Sequence, residues 1–230
     1  MRCDSFADIA LTDVKMAKHD TGYRRLIAHY EDCLERHGDT HLGVDWPDAD
    51  DAETRYRVML DVIRDPADQS VSLLDFGCGA GHLLDFIRAN QMGSLNYQGL
   101  DASPKFIALC QQKFPGIPFH QDDVLTEPLT IEPVDYVVLN GVLTEKREMT
   151  TGEMFAYMEA LIGAVWPFAR KGLAFNVMSA QVDWQRDDLF HLSFDAMAEF
   201  VSRKLSRHFL FRQDYGLFDY TVYVYRDPTT

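Results

Sequence analysis

The fold of this chain is decided by residues 71–84, Val-Ser-Leu-Leu-Asp-Phe-Gly-Cys-Gly-Ala-Gly-His-Leu-Leu. The apolar run at its start predicts a short buried strand, and the apolar periodicity from Leu83 to Ile87 predicts a helix. Three glycines at alternate positions, Gly77, Gly79 and Gly81, separate the two elements. Glycine tolerates backbone angles that other residues resist, and its missing side chain lets a ligand lie against the main chain. A helix that starts directly after such a turn also aims unpaired N–H groups at that ligand.

Two kinds of nucleotide ligand use a turn of this sort. Dinucleotide-binding proteins need the pattern G-x-G-x-x-G, with an acidic residue about 20 positions later. Here the third glycine comes one position early, and His82 stands where that pattern has glycine. The resulting D-x-G-x-G-x-G sequence, which begins at Asp75, resembles motif I of the class I S-adenosylmethionine (SAM) methyltransferases. The resemblance implies that the cofactor is contacted by Asp75, Gly77, Cys78, Gly79 and Gly81.

The next segment resembles the second strand of the same family. Asn96–Asp101 is predicted to be a second short strand that ends in a carboxylate, and Pro104 after a serine marks the start of a helix. Asp101 therefore lies at the carboxyl end of a strand, where an acid can hold both hydroxyls of a ribose. Ala102, which follows it, joins the predicted cofactor contacts.

Two further segments resemble the family's third and fourth strands, so that the resemblance spans about residues 71–177. Pro118–Val124 carries two adjacent acids, of which one is expected to face the adenine edge together with Val124. The family pattern favours Asp123, and a one-residue slip to Asp122 stays open. Val134–Gly141 resembles strand 4 with motif IV, which adds two cofactor contacts, Asn140 and Gly141.

Composition limits the remaining possibilities. The chain has 230 residues, 47% of them apolar, and a formal charge of −14, which argues against a nucleic-acid substrate because phosphate binding needs a basic surface. Four cysteines without paired spacing support neither a zinc site nor a disulfide framework. The sequence shows neither a signal core nor a membrane-spanning run. We therefore expect a cytoplasmic protein without a metal or a membrane partner, either a monomer or a homodimer.

Residues 1–68 are expected to form a helical cap on the methyltransferase domain, residues 69–230. Apolar residues recur at helical spacing from Tyr23 to before Gly38 and again over about Ala49–Arg64. In many relatives such helices cover the methionine end of the cofactor. Three residues of this part are candidates for that cover: Trp46, Arg55 and Tyr56. Arg55 is a candidate because an arginine can hold a carboxylate with paired hydrogen bonds.

The rest of the chain continues the strand–helix alternation. A helix over Met154–Phe168, a fifth strand and a long polar loop, Ser179–Leu192, precede another helix and a final hairpin. Five strand–helix units and a hairpin predict an α/β fold, doubly wound around a mostly parallel sheet of seven strands. The resemblance implies the strand order 3-2-1-4-5-7-6, with the last inserted strand antiparallel.

The function expected from these features is methyl transfer from SAM to a small-molecule acceptor, of the sugar or secondary-metabolite type, on oxygen or nitrogen. For an alcohol acceptor, His191 is the leading candidate for the proton acceptor because its usual pKa is near neutral, and Asp183 ranks next. The inferred strand order places Asp214 and Tyr215 near the same rim. The alternatives are a nicotinamide-dependent oxidoreductase on a similar sheet and a non-catalytic SAM-binding subunit.

Overall fold

The computed structural model describes residues 22–64, 71–92 and 95–229. The six α-helices and eight strands of these residues alternate along the chain as follows: α1 (Gly22–His37), α2 (Ala49–Leu60), β1 (Ser72–Phe76), α3 (His82–Ala89), β2 (Asn96–Asp101), α4 (Pro104–Lys113), β3 (Phe119–Gln121), β4 (Val134–Leu139), α5 (Thr151–Val165), β5 (Ala169–Ser179), β6 (His191–Leu192), α6 (Phe194–Lys204), β7 (His208–Arg212) and β8 (Asp219–Tyr225). Short 3₁₀ helices lie at His41–Val44 and Trp166–Phe168.

The strands form one sheet in the order β3-β2-β1-β4-β5-β8-β7. All pairings are parallel except those of β8, which runs antiparallel to both of its neighbours. This is the predicted topology. The structure adds one strand that the sequence did not suggest, the two-residue β6, which pairs in parallel with the carboxyl end of β5. The segment predicted as a structureless loop is therefore tied to the sheet at its end.

Helices cover both faces of the sheet, so most strands are buried throughout. Met158 and Ile162 of α5 and Met197 of α6 belong to the core on one face. Helices α2, α3 and α4 cover the other face, where Met59 and Leu84 are buried. Because α2 contributes to this core, it packs as part of the domain.

Local signals fix the helix ends better than apolar periodicity does. Helix α5 begins at Thr151, three residues before the predicted start, because Thr150 and Glu153 form a capping box. Helix α2 ends at Leu60, short of the predicted Arg64. The predicted cap boundary at residue 68, and residues 1–21 of that cap, lie outside the described residues. Among the helices that the structure describes, none has the length and apolar character to cross a membrane.

Candidate active site

A cavity of about 940 Å³ opens at the carboxyl edge of the parallel strands. The turn after β1, the ends of β2, β3 and β4, the loop between β5 and β6, and the N-terminal helices all contribute to its wall. Sixteen residues that the sequence analysis selected line it: Trp46, Arg55, Tyr56, Asp75, Gly77, Cys78, Gly79, Asp101, Ala102, Asp122, Asp123, Val124, Asn140, Gly141, Asp183 and His191.

Three selected residues point elsewhere. A β-carbon on Gly81 would lie 2.6 Å from Phe114, so this glycine serves the packing of α3 against α4. Asp214 pairs with Arg212 on the surface. The hydroxyl of Tyr215 lies 3.1 Å from that of Thr221 and also contacts Asp219. The inferred strand order thus placed the last turn at the correct edge, but Asp214 lies on the surface and Tyr215 makes hydrogen bonds within the protein.

The glycine turn depends on backbone angles that only glycine adopts easily. Gly77, Gly79 and Gly81 have φ values of 73°, 51° and 74°. A β-carbon on Gly77 would also lie 2.4 Å from Val142. The amides of Gly77 and Cys78 both donate to the carbonyl of Leu100, which fixes the turn to the end of β2. The turn is therefore rigid, and its backbone borders the cavity.

Asp101 is held in position by two main-chain donors. Gly79 N–H donates to Oδ2 at 2.9 Å, and Ser103 N–H donates to Oδ1 at 2.8 Å. Burial raises the pKa of this carboxyl, and the two backbone hydrogen bonds oppose that shift. Since an ionised carboxyl has about four acceptor positions, both oxygens can still accept hydrogen bonds from a ligand in the cavity.

Asp75 is a second buried acid below the turn. Tyr97 donates its hydroxyl proton to Oδ2 at 2.7 Å. Burial raises the pKa of Asp75 to about 7, against the lowering effect of the Tyr97 hydrogen bond, and the charge of Asp101 adds to the rise. The folded protein therefore favours the protonated form of Asp75 more than an unfolded chain does.

The two acids after β3 differ in their partners. Asp123 accepts hydrogen bonds from the Tyr23 hydroxyl at 2.8 Å and from the Leu125 amide at 3.2 Å, so it ties α1 to the sheet. The Asp122 amide donates to the carbonyl of Asp101, and within the described residues its carboxylate accepts no hydrogen bond. Both side chains line the cavity, and Asp122 is the one with both oxygens available.

A buried polar network, which the sequence did not predict, joins the tip of β4 to helix α2. Gly141 N–H donates to Asn176 Oδ1 at 2.8 Å, and Asn176 Nδ2 donates to Asp219 Oδ2 at 2.7 Å. Arg55 donates to both oxygens of Asp219 through Nε and Nη2. Asp219 and Asn176 are 0% exposed. We call these four residues the Asp219 network; a polar residue inside an apolar strand was the only sequence signal for it.

The predicted cover residues pack on this network. The Arg55 guanidinium lies 4.5 Å from the centre of the Trp46 ring, and a β-carbon on Gly141 would lie 2.6 Å from the same ring. Arg55 therefore has an internal counter-charge, while its Nη1 makes no hydrogen bond within the described part of the chain. Nearby, Asn140 Oδ1 is buried and has no hydrogen-bond partner among the described residues, which suits a donor from a ligand.

A second group of titratable residues, absent from the sequence analysis, lies on the wall contributed by α1. His29 Nε2 is 2.7 Å from Asp45 Oδ2 and 3.8 Å from Glu145 Oε2. Arg147 lies 3.4 Å from the same Glu145 oxygen. We call these four residues the His29 cluster. They come from three separate segments of the chain, so no local sequence motif predicts them.

Among the described residues, one group has side chains that could bridge a metal ion: His29 Nε2, Cys33 Sγ and Asp45 Oδ2 lie within 4.8 Å of one another. Their contacts are those of hydrogen bonds. The 2.7 Å between His29 and Asp45 is a hydrogen-bond distance, and Arg36 Nη2 donates to Cys33 Sγ at 3.5 Å. The Arg36 guanidinium therefore already contacts the sulfur.

His191 lines the cavity, but both of its ring nitrogens have partners in the loop. Nδ1 lies 2.7 Å from the carbonyl of Ser179, which can only accept, so Nδ1 carries the proton. Nε2 accepts the amide proton of Arg186 at 3.3 Å. The imidazole thus holds the loop between β5 and β6 in place. Asp183 lies exposed on the same loop.

The sheet order, the glycine turn after β1 and the acid at the end of β2 are the features that define the class I SAM-dependent methyltransferases. Comparisons with known proteins agree. Residues 74–161 match the model of a methyltransferase domain. A protein of Mycobacterium tuberculosis named "Putative methyltransferase Rv1506c" is 28% identical over 155 residues, which cover 66% of this chain and 92% of that protein. These findings support a class I SAM-dependent methyltransferase, with SAM as the cofactor, which leaves as S-adenosylhomocysteine (SAH).

Solved structures show the same fold at lower identity. Magnesium protoporphyrin IX methyltransferase from Synechocystis, crystallised with SAH, superposes with a TM-score of 0.59 at 16% identity, over 89% of this chain and all of that chain. An amino pentose methyltransferase from Micromonospora echinaspora, CalS10, gives 0.53 at 15% identity, over 79% of this chain and 98% of that one. At these identities the likeness is one of fold, and the acceptor has to be argued from this chain's own cavity.

Proposed function

We propose that this enzyme methylates a small molecule, of the sugar or secondary-metabolite type, on oxygen or nitrogen. The observation that carries the proposal is a single continuous cavity that reaches from the glycine turn to the His29 cluster. Its volume of about 940 Å³ is near the upper end of the range for small-molecule sites, roughly 300–1,000 Å³. A cavity of that size has room for a nucleoside cofactor and a second, small ligand.

The residues of the turn fit the cofactor. Asp101 would accept hydrogen bonds from both ribose hydroxyls, since each of its oxygens keeps a free acceptor position. Asp122 or Asp123, with Val124, would border the adenine edge, and the backbone of Gly77–Gly79 would lie along the ligand. Trp46, Tyr56 and Arg55 would cover the methionine end, with Arg55 Nη1 facing the carboxylate. When bound, the sulfonium supplies an activated methyl group, and the residues of the cavity position the acceptor in line with it.

The test of this function begins with SAH binding. We expect calorimetry to show binding in the low-micromolar range or better, and Gly79→Val to abolish it because a side chain would fill the space beside the turn. Undiminished binding by Gly79→Val would contradict the placement of the cofactor. Turnover is then sought by screening acceptors for release of SAH.

The original candidates for the proton acceptor are tested with the same assay. His191→Ala and Asp183→Asn should lose about 10²–10⁴ in kcat with intact SAH binding if either residue takes the proton. The hydrogen bonds of His191 favour a role in holding the loop between β5 and β6. In that case His191→Ala should raise KM and make the loop more mobile, rather than lower kcat. Near-normal rates in both variants would assign the proton to another group.

We also propose that the enzyme works in the cytoplasm, on neither nucleic acid nor membranes, as a monomer or homodimer. The three described cysteines, Cys33, Cys78 and Cys110, are buried free thiols, which suits a reducing compartment. The charge of −14 opposes a polyanionic substrate. Sedimentation of the purified protein and fractionation of cells test these points.

A further inference from the structure

We propose that the acceptor is an amine and that Glu145 of the His29 cluster receives its proton. This inference rests on the methyl transfer proposed above and names the substrate class and the proton acceptor. It is supported by the position of Glu145 in the cavity, by the rigidity of the segment that carries it, and by the charge of the surrounding wall.

The His29 cluster lies beside the part of the cavity assigned to the methionine end of the cofactor. Asp45 directly precedes Trp46, the ring of which packs against Gly141. Glu145 follows Gly141 by four residues, and Thr144 Oγ1 donates to the Gly141 carbonyl at 2.9 Å. An acceptor bound against Glu145 therefore sits next to the tip of β4, near the end of the cofactor that carries the methyl group.

The segment that carries Glu145 is fixed on both sides. Phe190 N–H donates to the Thr144 carbonyl at 2.8 Å, and the amides of Lys146 and Arg147 both donate to the Asp188 carbonyl at 2.9 Å. The Glu145 side chain is only 12% exposed, yet it borders the cavity. A carboxyl held in this way can meet a ligand in one geometry, which a proton transfer requires.

Charged groups from every neighbouring element face Glu145. His29, Tyr30 and Cys33 come from α1, and Asp45 comes from the end of the first 3₁₀ helix. Arg147 belongs to the same segment as Glu145, and Arg186 and Asp188 belong to the loop after β5. Burial, and then the charge of Asp45, raise the pKa of Glu145 to about 8, while Arg147 opposes the rise. Amines titrate from about 8 for an α-amino group to about 10.4 for lysine. Glu145 is thus matched to an ammonium, whereas an alcohol holds its proton far more tightly.

The cavity as a whole favours a cation. Among the described residues that line it, nine are aspartates or glutamates and four are arginines. In a partly water-excluded cavity, this excess of carboxylates attracts a positively charged ligand and repels an anionic one. Arg55 is paired with Asp219, which is not among these nine acids, so Arg55 does not offset them. Arg147 is paired with Glu145, and the acids that line the cavity still outnumber its arginines.

The chemistry balances with these groups. The ammonium R–NH₃⁺ passes one proton to the Glu145 carboxylate, which leaves R–NH₂ with a free lone pair. That nitrogen forms the new C–N bond as the S–CH₃ bond breaks, and the electron pair of the broken bond goes to sulfur. The product R–NH₂⁺–CH₃ carries the positive charge that the sulfonium had, and Glu145 releases its proton to solvent as the product leaves.

The first experiment uses amino sugars and their parent sugars as matched probes. Calorimetry with SAH comes first, because failure of SAH to bind would overturn the proposed function itself. With binding established, we expect SAH release with amino sugars and not with the parent sugars, and a product that is methylated on nitrogen. Methylation of hydroxyls alone, or turnover of no amine in the set, would overturn the amine proposal while leaving SAM binding intact.

The second experiment separates Glu145 from a general effect on folding. Glu145→Gln should lower kcat about 10²–10⁴-fold at pH 7, and the loss should shrink roughly tenfold per pH unit as the amine deprotonates by itself. SAH affinity and Tm should stay at the wild-type values, and calorimetric binding of the amine in the presence of SAH should weaken. Glu148→Gln, an exposed acid three residues away, is the matched control and should behave as wild type.

A third variant tests the electrostatics without removing the carboxyl. Asp45→Asn removes a charge that raises the pKa of Glu145, so the acid limb of the kcat/KM profile should move to lower pH. An unmoved limb, or a Glu145→Gln loss that is the same at every pH, would assign Glu145 a structural role. Zinc retained in one-to-one ratio and lost in Cys33→Ser would also overturn the proton role, because His29, Cys33 and Asp45 would then be metal ligands.

Discussion

Replacing Asp101 by asparagine changes one atom of the cofactor site and tests its assignment directly. In the native protein one oxygen accepts from Gly79 N–H at 2.9 Å and the other from Ser103 N–H at 2.8 Å. An asparagine keeps one acceptor oxygen, and its NH₂ group faces the remaining backbone donor. The variant therefore loses one charge-assisted hydrogen bond to the ribose and the negative charge that strengthens the other.

The size of the effect follows from these contacts. A hydrogen bond to a charged group is worth about 1.5–3 kcal/mol, so the Kd for SAH should rise about 10- to 150-fold. The stability of the protein without ligand should change little, because two effects oppose each other. The backbone N–H that faces the new NH₂ group loses its acceptor, at a cost of about 1–3 kcal/mol, while removal of the buried charge relieves the cost of burying it.

The assay is calorimetry with SAH and with an SAH analogue that lacks the ribose 2′-hydroxyl. Wild type should discriminate strongly between the two, and Asp101→Asn should discriminate much less, with Asp195→Asn on the exposed face of α6 as a control. Equal discrimination in both proteins would refute the ribose contact. A lower Tm of unliganded Asp101→Asn would show instead that this carboxylate stabilises the turn.

Three other predictions concern stability, measured by urea unfolding. Gly77→Ala should cost about 1–3 kcal/mol, because φ is 73° and a valine methyl lies 2.4 Å from the new carbon, whereas Gly163→Ala in an open helical position should be neutral or stabilising; equal effects would contradict this. Burial raises the pKa of Asp75 to about 7, so between pH 4 and 7 the native state holds a proton that the unfolded state has lost. The free energy of unfolding should therefore fall by up to ~4 kcal/mol over this range. Asp75→Asn should remove that pH dependence, and an unchanged dependence would contradict the raised pKa. Asp219→Asn should cost about 3–5 kcal/mol by leaving the buried Arg55 charge unpaired, and adding Arg55→Met should restore part of it; a purely additive double variant would show that the two do not interact.

The positions of the residues assigned to the cofactor were predictable because their signals are local. Asp75 and the glycines lie within seven residues, and Asp101 directly ends a strand, so strand–turn–helix geometry places them without knowledge of distant contacts. The spacing did not show what each glycine does. Gly81 fits the motif as well as Gly77 does. Only the structure shows that the space where a Gly81 side chain would lie is occupied by Phe114.

The other half of the site depends on contacts between distant segments. His29 and Glu145 are 116 positions apart in sequence and meet only because α1 lies over the end of β4. The Asp219 network likewise needs β8 beside β5, an order that periodicity cannot supply. His191 was selected for its chemistry and for its position in a long loop, and that loop does border the cavity. The hydrogen bonds that occupy both ring nitrogens are set by the turn itself, which composition does not reveal.

The contact between Arg55 and Asp219 spans 164 positions and has a consequence for biosynthesis. Translation adds about 5–20 residues per second, so Arg55 is synthesised many seconds before its counter-charge, Asp219. Until β8 has been made, helix α2 lacks its buried ion pair, and the side-chain amide of Asn176 lacks its acceptor. The nascent chain can therefore form the glycine turn early but cannot complete the wall of the cavity. A chain that ends before Asp219 should be less stable and more sensitive to proteolysis.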